Sequence, residues 1–276
     1  MSTGAVVLLA VGEAMVDVVV STPPTAGAST HAPIRLDAGG TPVNAARAAA
    51  ALGASSAVAA RIGDDLGGAA IRHALDSRDI RAVLAVDESL PTGAFVDLRG
   101  TIVADRGAND ALAPADVAGA PGHEALLVSG YTFRAATAAT AVDVLSASGA
   151  RWRAVDAGGV PDGTDLSAAN VLLGTLDELR ADAGEDSEAV ALRLLETFEA
   201  VAVKLGAAGA VAAAGGQVVR QPAVLEESEG AIGAGDAFDA GLLVGLARGR
   251  DLHAALVLGL AAAAAHIRER TAVRLR

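Results

Sequence analysis

From Ala125 onward the chain repeats one unit: a short apolar run, a turn, then a longer stretch with helical spacing. Leu126 to Ser129, Trp152 to Asp156, Asn170 to Leu173 and Val201 to Leu205 read as strands. Arg134 to Ser146, stopped at Gly149, reads as a helix, as does Asp186 to Ala200 with Leu192, Leu195 and Phe198 on its apolar side. Such alternation buries its apolar surface when the strands lie parallel and the intervening helices cross over the sheet. Ala5 to Val11 is a continuous apolar run, as expected of a strand buried on both faces. No linker divides the chain, so residues 1–276 read as a single α/β domain: three layers, with a mostly parallel central sheet and helices on both faces.

Between the first strand and this regular region the pattern changes. Met15 to Val20 reads as a strand and Ser21 to Pro33 as a loop or mobile flap. Gly39-Gly40 and Pro42 open an alanine-rich helix, Ala45 to Leu52, which Gly53 ends. Ala57 to Ile62 reads as a strand and Ala69 to Leu75 as a helix. Val83 to Val86, Ala94 to Leu98 and Thr101 to Ala104 are short strand-like runs separated by turn residues. They suggest a small antiparallel β lid built from about 13–37 and 83–106. Near the C-terminus, Gly215-Gly216 marks a hairpin between Ala210 to Ala214 and Gln217 to Arg220. Ala237 to Ala247 reads as a helix, and Asp251 caps a last one through about Arg268.

Composition narrows the function classes. The chain is 52% apolar but only 2% aromatic, so its core must pack by close backbone approach. A net charge of −12 argues against a nucleic-acid or anionic-membrane partner, although a local cradle of N–H groups can still hold an anion. Cysteine is absent, which removes disulfides and thiolate metal sites and fits a reducing, cytoplasmic setting. No basic leader precedes the first apolar run, and the uncharged run Ala254 to Ala265 is short of the roughly 20 residues of a membrane helix. The five histidines lack metal-ligand spacing, and His73, His253 and His266 fall in helical segments that suit surface or packing roles. There is no P-loop, no G-x-G-x-x-G after the first strand and no G-x-S-x-G elbow.

The chemistry concentrates in Gly230-Ala231-Ile232-Gly233-Ala234-Gly235-Asp236-Ala237-Phe238. Glycines let backbone N–H groups point outward together, and a helix start adds positive partial charge, so this stretch can cradle a phosphate. Asp236 at its mouth can take a proton from a nucleophile. Two further loops fall where an open α/β sheet binds ligands: Gly39-Gly40 through Asn44, and Thr175 through Glu178. Asp17, inside a valine-rich strand, is either an outward-facing side chain or a ligand contact.

In order and spacing these motifs resemble the ribokinase-like (PfkB) carbohydrate kinases along essentially the whole chain. Gly12-Glu13-Ala14-Met15-Val16-Asp17 is similar to the family's first strand and substrate-binding aspartate, and Gly39-Gly40-Thr41-Pro42-Val43-Asn44 to its G-G-x-x-x-N segment. Arg61 through Gly68 resembles its V-G-x-D-x-x-G turn, and Val203 through Ala210 its nucleotide-side strand and loop. Gly233-Ala234-Gly235-Asp236-Ala237-Phe238 matches G-A-G-D-A-F without a change. The resemblance implies ATP-dependent phosphorylation of a small sugar or related alcohol. Asp236 would be the base, with the cradle Gly233, Ala234 and Gly235 stabilising the transferred phosphoryl. Asp17, Gly39, Gly40, Asn44 and Tyr131 would hold the acceptor. Lys204, Gly206, Gly209 and Thr175 would lie along ATP, and Glu178 near Mg2+. The lid would also offer a homodimer contact. A nucleoside kinase and a degenerate, non-catalytic sugar or nucleotide binder are the alternatives.

Three departures stand beside the match. Gly230, Ala231 and Ile232 replace the family's D-T-T, which argues against activation by a monovalent cation. Thr175 replaces the asparagine of N-x-x-E, with Glu178 kept, and Asp156-Ala157-Gly158-Gly159 lacks the polar D-x-N-x-R pattern.

Overall fold

The computed structural model describes residues 5–20, 22, 25, 27–98, 101–179, 184–224 and 232–274. The chain begins β1 (Val6–Val11), β2 (Met15–Val20), β3 (Ile34–Gly39), α1 (Thr41–Ala51), β4 (Ser56–Gly63), α2 (Leu66–Asp76) and β5 (Arg81–Asp87). It continues β6 (Gly93–Asp97), β7 (Ile102–Asp105), α3 (Pro114–Val117), β8 (His123–Ser129), α4 (Ala138–Ala147) and β9 (Trp152–Asp156). β10 (Val171–Thr175), α5 (Ser187–Leu194), β11 (Ala200–Lys204), β12 (Ala210–Ala214), β13 (Gln217–Gln221), α6 (Ala234–Ala247) and α7 (Leu252–Arg274) complete it.

Nine strands form one sheet in the order β13-β12-β11-β10-β9-β8-β1-β4-β5. It is parallel from β11 to β5, and the β12–β13 hairpin is added antiparallel at one edge. Alternate side chains separate into two cores, as the period of a strand requires. Leu9, Val11, Leu126, Val128 and Val203 pack with α4 and α5 on one face. Leu8, Ala10, Leu127, Leu173 and Ala202 pack with α1, α6 and α7 on the other. The small side chains matter most between α6 and α7: a Cβ at Gly241 would stand 2.7 Å from the Leu258 carbonyl, and one at Gly245 2.7 Å from the Ala255 Cα. At these two positions the helices therefore approach backbone to backbone, while Phe238 of α6 packs on Gly259 of α7.

A second sheet, β3-β2-β6-β7, stands over the C-terminal ends of the large sheet's strands. Its outer pairs β2–β3 and β6–β7 are antiparallel, and β2 runs parallel to β6. The run Val83 to Val86, expected in this sheet, lies instead in β5, the edge of the large sheet, where Val83 pairs in parallel register with Ala59 of β4. The cause is α2: a strand, a helix and a strand make a crossover that returns to the parent sheet. The small sheet's second segment thus begins at Gly93, not near residue 83.

Two helices are shorter than expected. α5 ends at Leu194, because Ala200 already pairs with Val171 as the first residue of β11. Leu192 is correspondingly 48% exposed, while Val190 and Ala191 fill the core. α4 starts at Ala138, after two short 3-10 turns at 130–133 and 135–137. α7 is longer than its uncharged run: by length and composition, Leu252–Arg270 is extended and apolar enough to cross a membrane. In this fold its Ala255, Leu256 and Leu260 are buried against the sheet and α6.

Candidate active site

The C-terminal ends of β9, β10 and β11, the starts of α1 and α6, and the underside of the small sheet enclose a cleft of about 750 Å³. Met15 and Asp17 of β2 line the cleft, joined by Phe95, Ile102 and Ala104 from β6 and β7.

At its centre is the first turn of α6. Gly233 precedes the helix with φ +85, a left-handed conformation that favours glycine. A Cβ there would stand 2.8 Å from Asn44 Nδ2 and 2.9 Å from His266 Nε2, so space as well as dihedral excludes a side chain. Asp236 follows in the first turn, where its Oδ2 accepts a hydrogen bond from Asn44 Nδ2 at 2.9 Å. Burial pushes the Asp236 carboxyl up to about 6, helped by the charge of Asp156; Asn44, Lys204 and Thr41 oppose the rise. The turn before Gly233 is tied to α7: His266 Nε2 donates to the Ile232 carbonyl at 2.9 Å, which fixes the tautomer with the proton on Nε2.

Lys204, the last residue of β11, extends toward α6. Its Nζ donates to Asp156 Oδ1 at 2.8 Å and to Asp239 Oδ2 at 3.1 Å. Burial alone would lower the ammonium's pKa, but Asp156 and Asp239 outweigh it and the net shift is upward. Asp239 is fully buried, and that burial drives its carboxyl well above the ordinary range against the pull of Lys204. Gly235 is the facing residue; a Cβ on it would stand 3.5 Å from Nζ. The site therefore holds a fixed cation beside the α6 amides. At β10, Thr175 N donates to Glu178 Oε2 at 2.8 Å, and Glu178 N donates to Thr175 Oγ1 at 3.3 Å. Threonine thus keeps Glu178 in place although the family's asparagine is absent.

At the other end, Arg270 Nη2 reaches from α7 to Asp17 Oδ2 at 3.0 Å. Burial raises the Asp17 carboxyl, and Arg270 partly offsets the rise. A Cβ at Gly39 would overlap the Asp17 carboxylate, and one at Gly40, where φ is +86, would overlap the Glu13 carbonyl. The Tyr131 ring lies 5.1 Å from the Arg134 guanidinium and lines the same cleft. Gly206 and Gly209 line it too, as do the apolar Val224, Leu260, Ala263 and Ile267.

The cleft thus gathers Asp17, Gly40, Asn44, Tyr131, Thr175, Glu178, Lys204, Gly206, Gly209, Gly233, Ala234, Gly235 and Asp236 on its wall. Gly39 is behind the wall, packed on Asp17. Of the replaced D-T-T residues, Gly230 and Ala231 lie outside the described residues. Reading the sequence did not single out Glu13, Asp239, Arg270 or a polar contact by His266. Asp239 alone carried a signal, an acid one turn after Asp236 on an otherwise apolar helix.

The family model described as pfkB family carbohydrate kinase matches residues 7–274. No curated protein matches the chain. Among solved structures, the chain is similar to a PfkB protein from Polaromonas sp. JS666, at 23% identity and TM-score 0.77 over 95% of this chain and 96% of that one. It is similar to an Arabidopsis thaliana ribokinase complexed with ribose and ATP, at 24% identity and TM-score 0.76 over 94% and 91%. An adenosine kinase from Sinorhizobium meliloti gives 21% identity and TM-score 0.77 over 94% and 93%. At these identities the likeness is one of fold.

Proposed function

Because the chain belongs to the pfkB family of carbohydrate kinases, we propose that it transfers the γ-phosphoryl group of ATP to a hydroxyl of a small sugar or sugar-like alcohol. The observation that carries this reading is Asp236, a carboxylate of raised pKa in the first turn of α6, beside Gly233, Ala234 and Gly235 on the cleft wall. Phosphoryl transfer asks for positioning and charge stabilisation more than covalent chemistry.

In this reading the acceptor lies between Asp17, Asn44 and Tyr131, and its reacting hydroxyl faces Asp236. The carboxylate takes the hydroxyl proton as the oxygen attacks phosphorus, and Asn44 holds the carboxylate's orientation. A base whose pKa lies near the working pH suits this transfer. The α6 amides and the Lys204 ammonium, beside Gly235, would stabilise the charge that develops on the transferred group. The apolar part of the cleft wall, with Val224, Leu260, Ala263 and Ile267, fits a flat purine base. Glu178, a carboxylate on the cleft wall, fits Mg2+, which binds through one or two carboxylates plus water and substrate phosphates. Glu178 would hold it, and when bound the ion neutralises charge on the ATP phosphates. The small sheet acts as a lid that excludes water. Its outer face leaves Ile34, Leu36 and Val103 exposed, an apolar row that suits a second copy of the chain.

The test is coupled ADP release over a panel of sugars and nucleosides, with wild type and Asp236→Asn. Acceptor-dependent ADP release by the wild type alone is expected. Ligand-dependent stabilisation without such release would replace this reading with that of a non-catalytic binder.

A further inference from the structure

The acceptor end of the cleft contains a second carboxylate, to which the first-strand motif assigned no role. Glu13 sits in the turn between β1 and β2, lines the cleft and is 4% exposed. Its Oε1 accepts a hydrogen bond from Arg106 Nη1 at 2.8 Å, and Arg106 follows directly on β7 of the small sheet. Its Oε2 is buried and has no hydrogen-bond partner among the described residues. A buried polar atom without a partner costs on the order of 1–3 kcal/mol, so the arrangement calls for a donor from outside the chain. The backbone cannot swing Glu13 away. Ala14 N donates to Asn109 Oδ1 and Asn109 Nδ2 donates to the Ala14 carbonyl, both at 3.1 Å, while Gly40 abuts the Glu13 carbonyl.

Resting on the kinase reading, we propose that Glu13 determines acceptor specificity: Oε2 accepts a hydrogen bond from an acceptor hydroxyl other than the one that reacts at Asp236. The preferred acceptor is then a neutral polyhydroxylated molecule. An acidic acceptor meets two carboxylates, Glu13 and Asp17, and finds their arginines already engaged. Arg106 is shared between Glu13 and Asp110, and Arg270 is paired with Asp17.

The test compares wild type, Glu13→Gln and Arg106→Met with D-ribose, D-fructose, D-glucose, adenosine and, as the acid, D-gluconate. Binding is read by thermal shift and turnover by ADP release. The wild type should prefer a neutral acceptor. Both substitutions should raise the KM of that acceptor about tenfold or more while leaving the KM for ATP within about twofold. Arg106→Met keeps the inference testable if Glu13→Gln fails to fold. Preference for gluconate, an unchanged acceptor KM, or an equal rise in the KM for ATP would each overturn the inference. If sugars bind in a Glu13-dependent way but no protein releases ADP above the Asp236→Asn level, the kinase reading falls and this one stands. If no acceptor binds, this one falls.

Discussion

Asn44 and Asp236, 192 residues apart in sequence, meet at 2.9 Å and join the start of α1 to the start of α6. The amide donates Nδ2 to the carboxylate, while its Oδ1 is buried with no partner among the described residues. One side chain thus faces the proposed base and keeps an acceptor free for the substrate. Because the bond lowers the Asp236 pKa, removing it has a predictable direction. Asn44→Ala should move the acidic limb of the rate profile to higher pH and reduce kcat/KM by roughly 10–100-fold. Steady-state kinetics from pH 5 to 8 checks both effects.

The pH dependence of the wild type follows from the same group. Activity should fall as Asp236 is protonated below about pH 6. Its effect on stability has the opposite sense. A carboxyl whose folded pKa is raised above the ordinary 3.8 favours the folded state below that value, and this contribution is lost as pH rises through about 6. Asp236→Asn should therefore be more stable than wild type at pH 7, by roughly 1–3 kcal/mol, and no more stable at pH 4. Urea denaturation at the two pH values measures the difference.

Lys204 is a charge shared by two buried acids, so its loss should be felt in both fold and rate. Lys204→Met leaves Asp156 and Asp239 without their cation and should cost roughly 3–5 kcal/mol. Adding Asp239→Asn should recover much of that loss. In the single variant the acidic limb should move upward, because Lys204 lowers the Asp236 pKa. A double-mutant cycle with pH profiles separates the two effects.

Two glycines with positive φ make a matched pair. Gly233→Ala must adopt a left-handed conformation and also displace Asn44, whereas Gly53→Ala, at φ +65, meets nothing within 4 Å. Both should lose about 1–2 kcal/mol from the backbone. Gly233→Ala should in addition lose roughly a hundredfold in kcat/KM. Gly53→Ala should keep full activity. Thermal melting and turnover of the two variants decide the point.

Much of this was legible in the sequence because it is local. Apolar runs bounded by turns gave the large sheet, and Gly233 through Phe238 with Gly39 through Asn44 placed the helix starts that face each other. Legibility failed where a decision depends on distant partners. Val83 to Val86 suits either sheet until the crossover through α2 is considered. Asp17 could be marked from its motif, but its partner Arg270, 253 residues later, could not. His266 and Asp239 sit on alanine-rich helices, where helical periodicity says nothing about what a polar side chain meets. Glu13 looks like a turn residue until the small sheet brings Arg106 over it.

The central claim is that Asp236 accepts the proton of an acceptor hydroxyl attacking ATP. The most direct test is single-turnover transfer of γ-labelled phosphate from ATP to the preferred acceptor, in wild type and Asp236→Asn, with ATP affinity measured on both. Transfer slowed by about 100- to 10,000-fold in Asp236→Asn at unchanged ATP affinity is the predicted result. Equal transfer rates in the two proteins would contradict it.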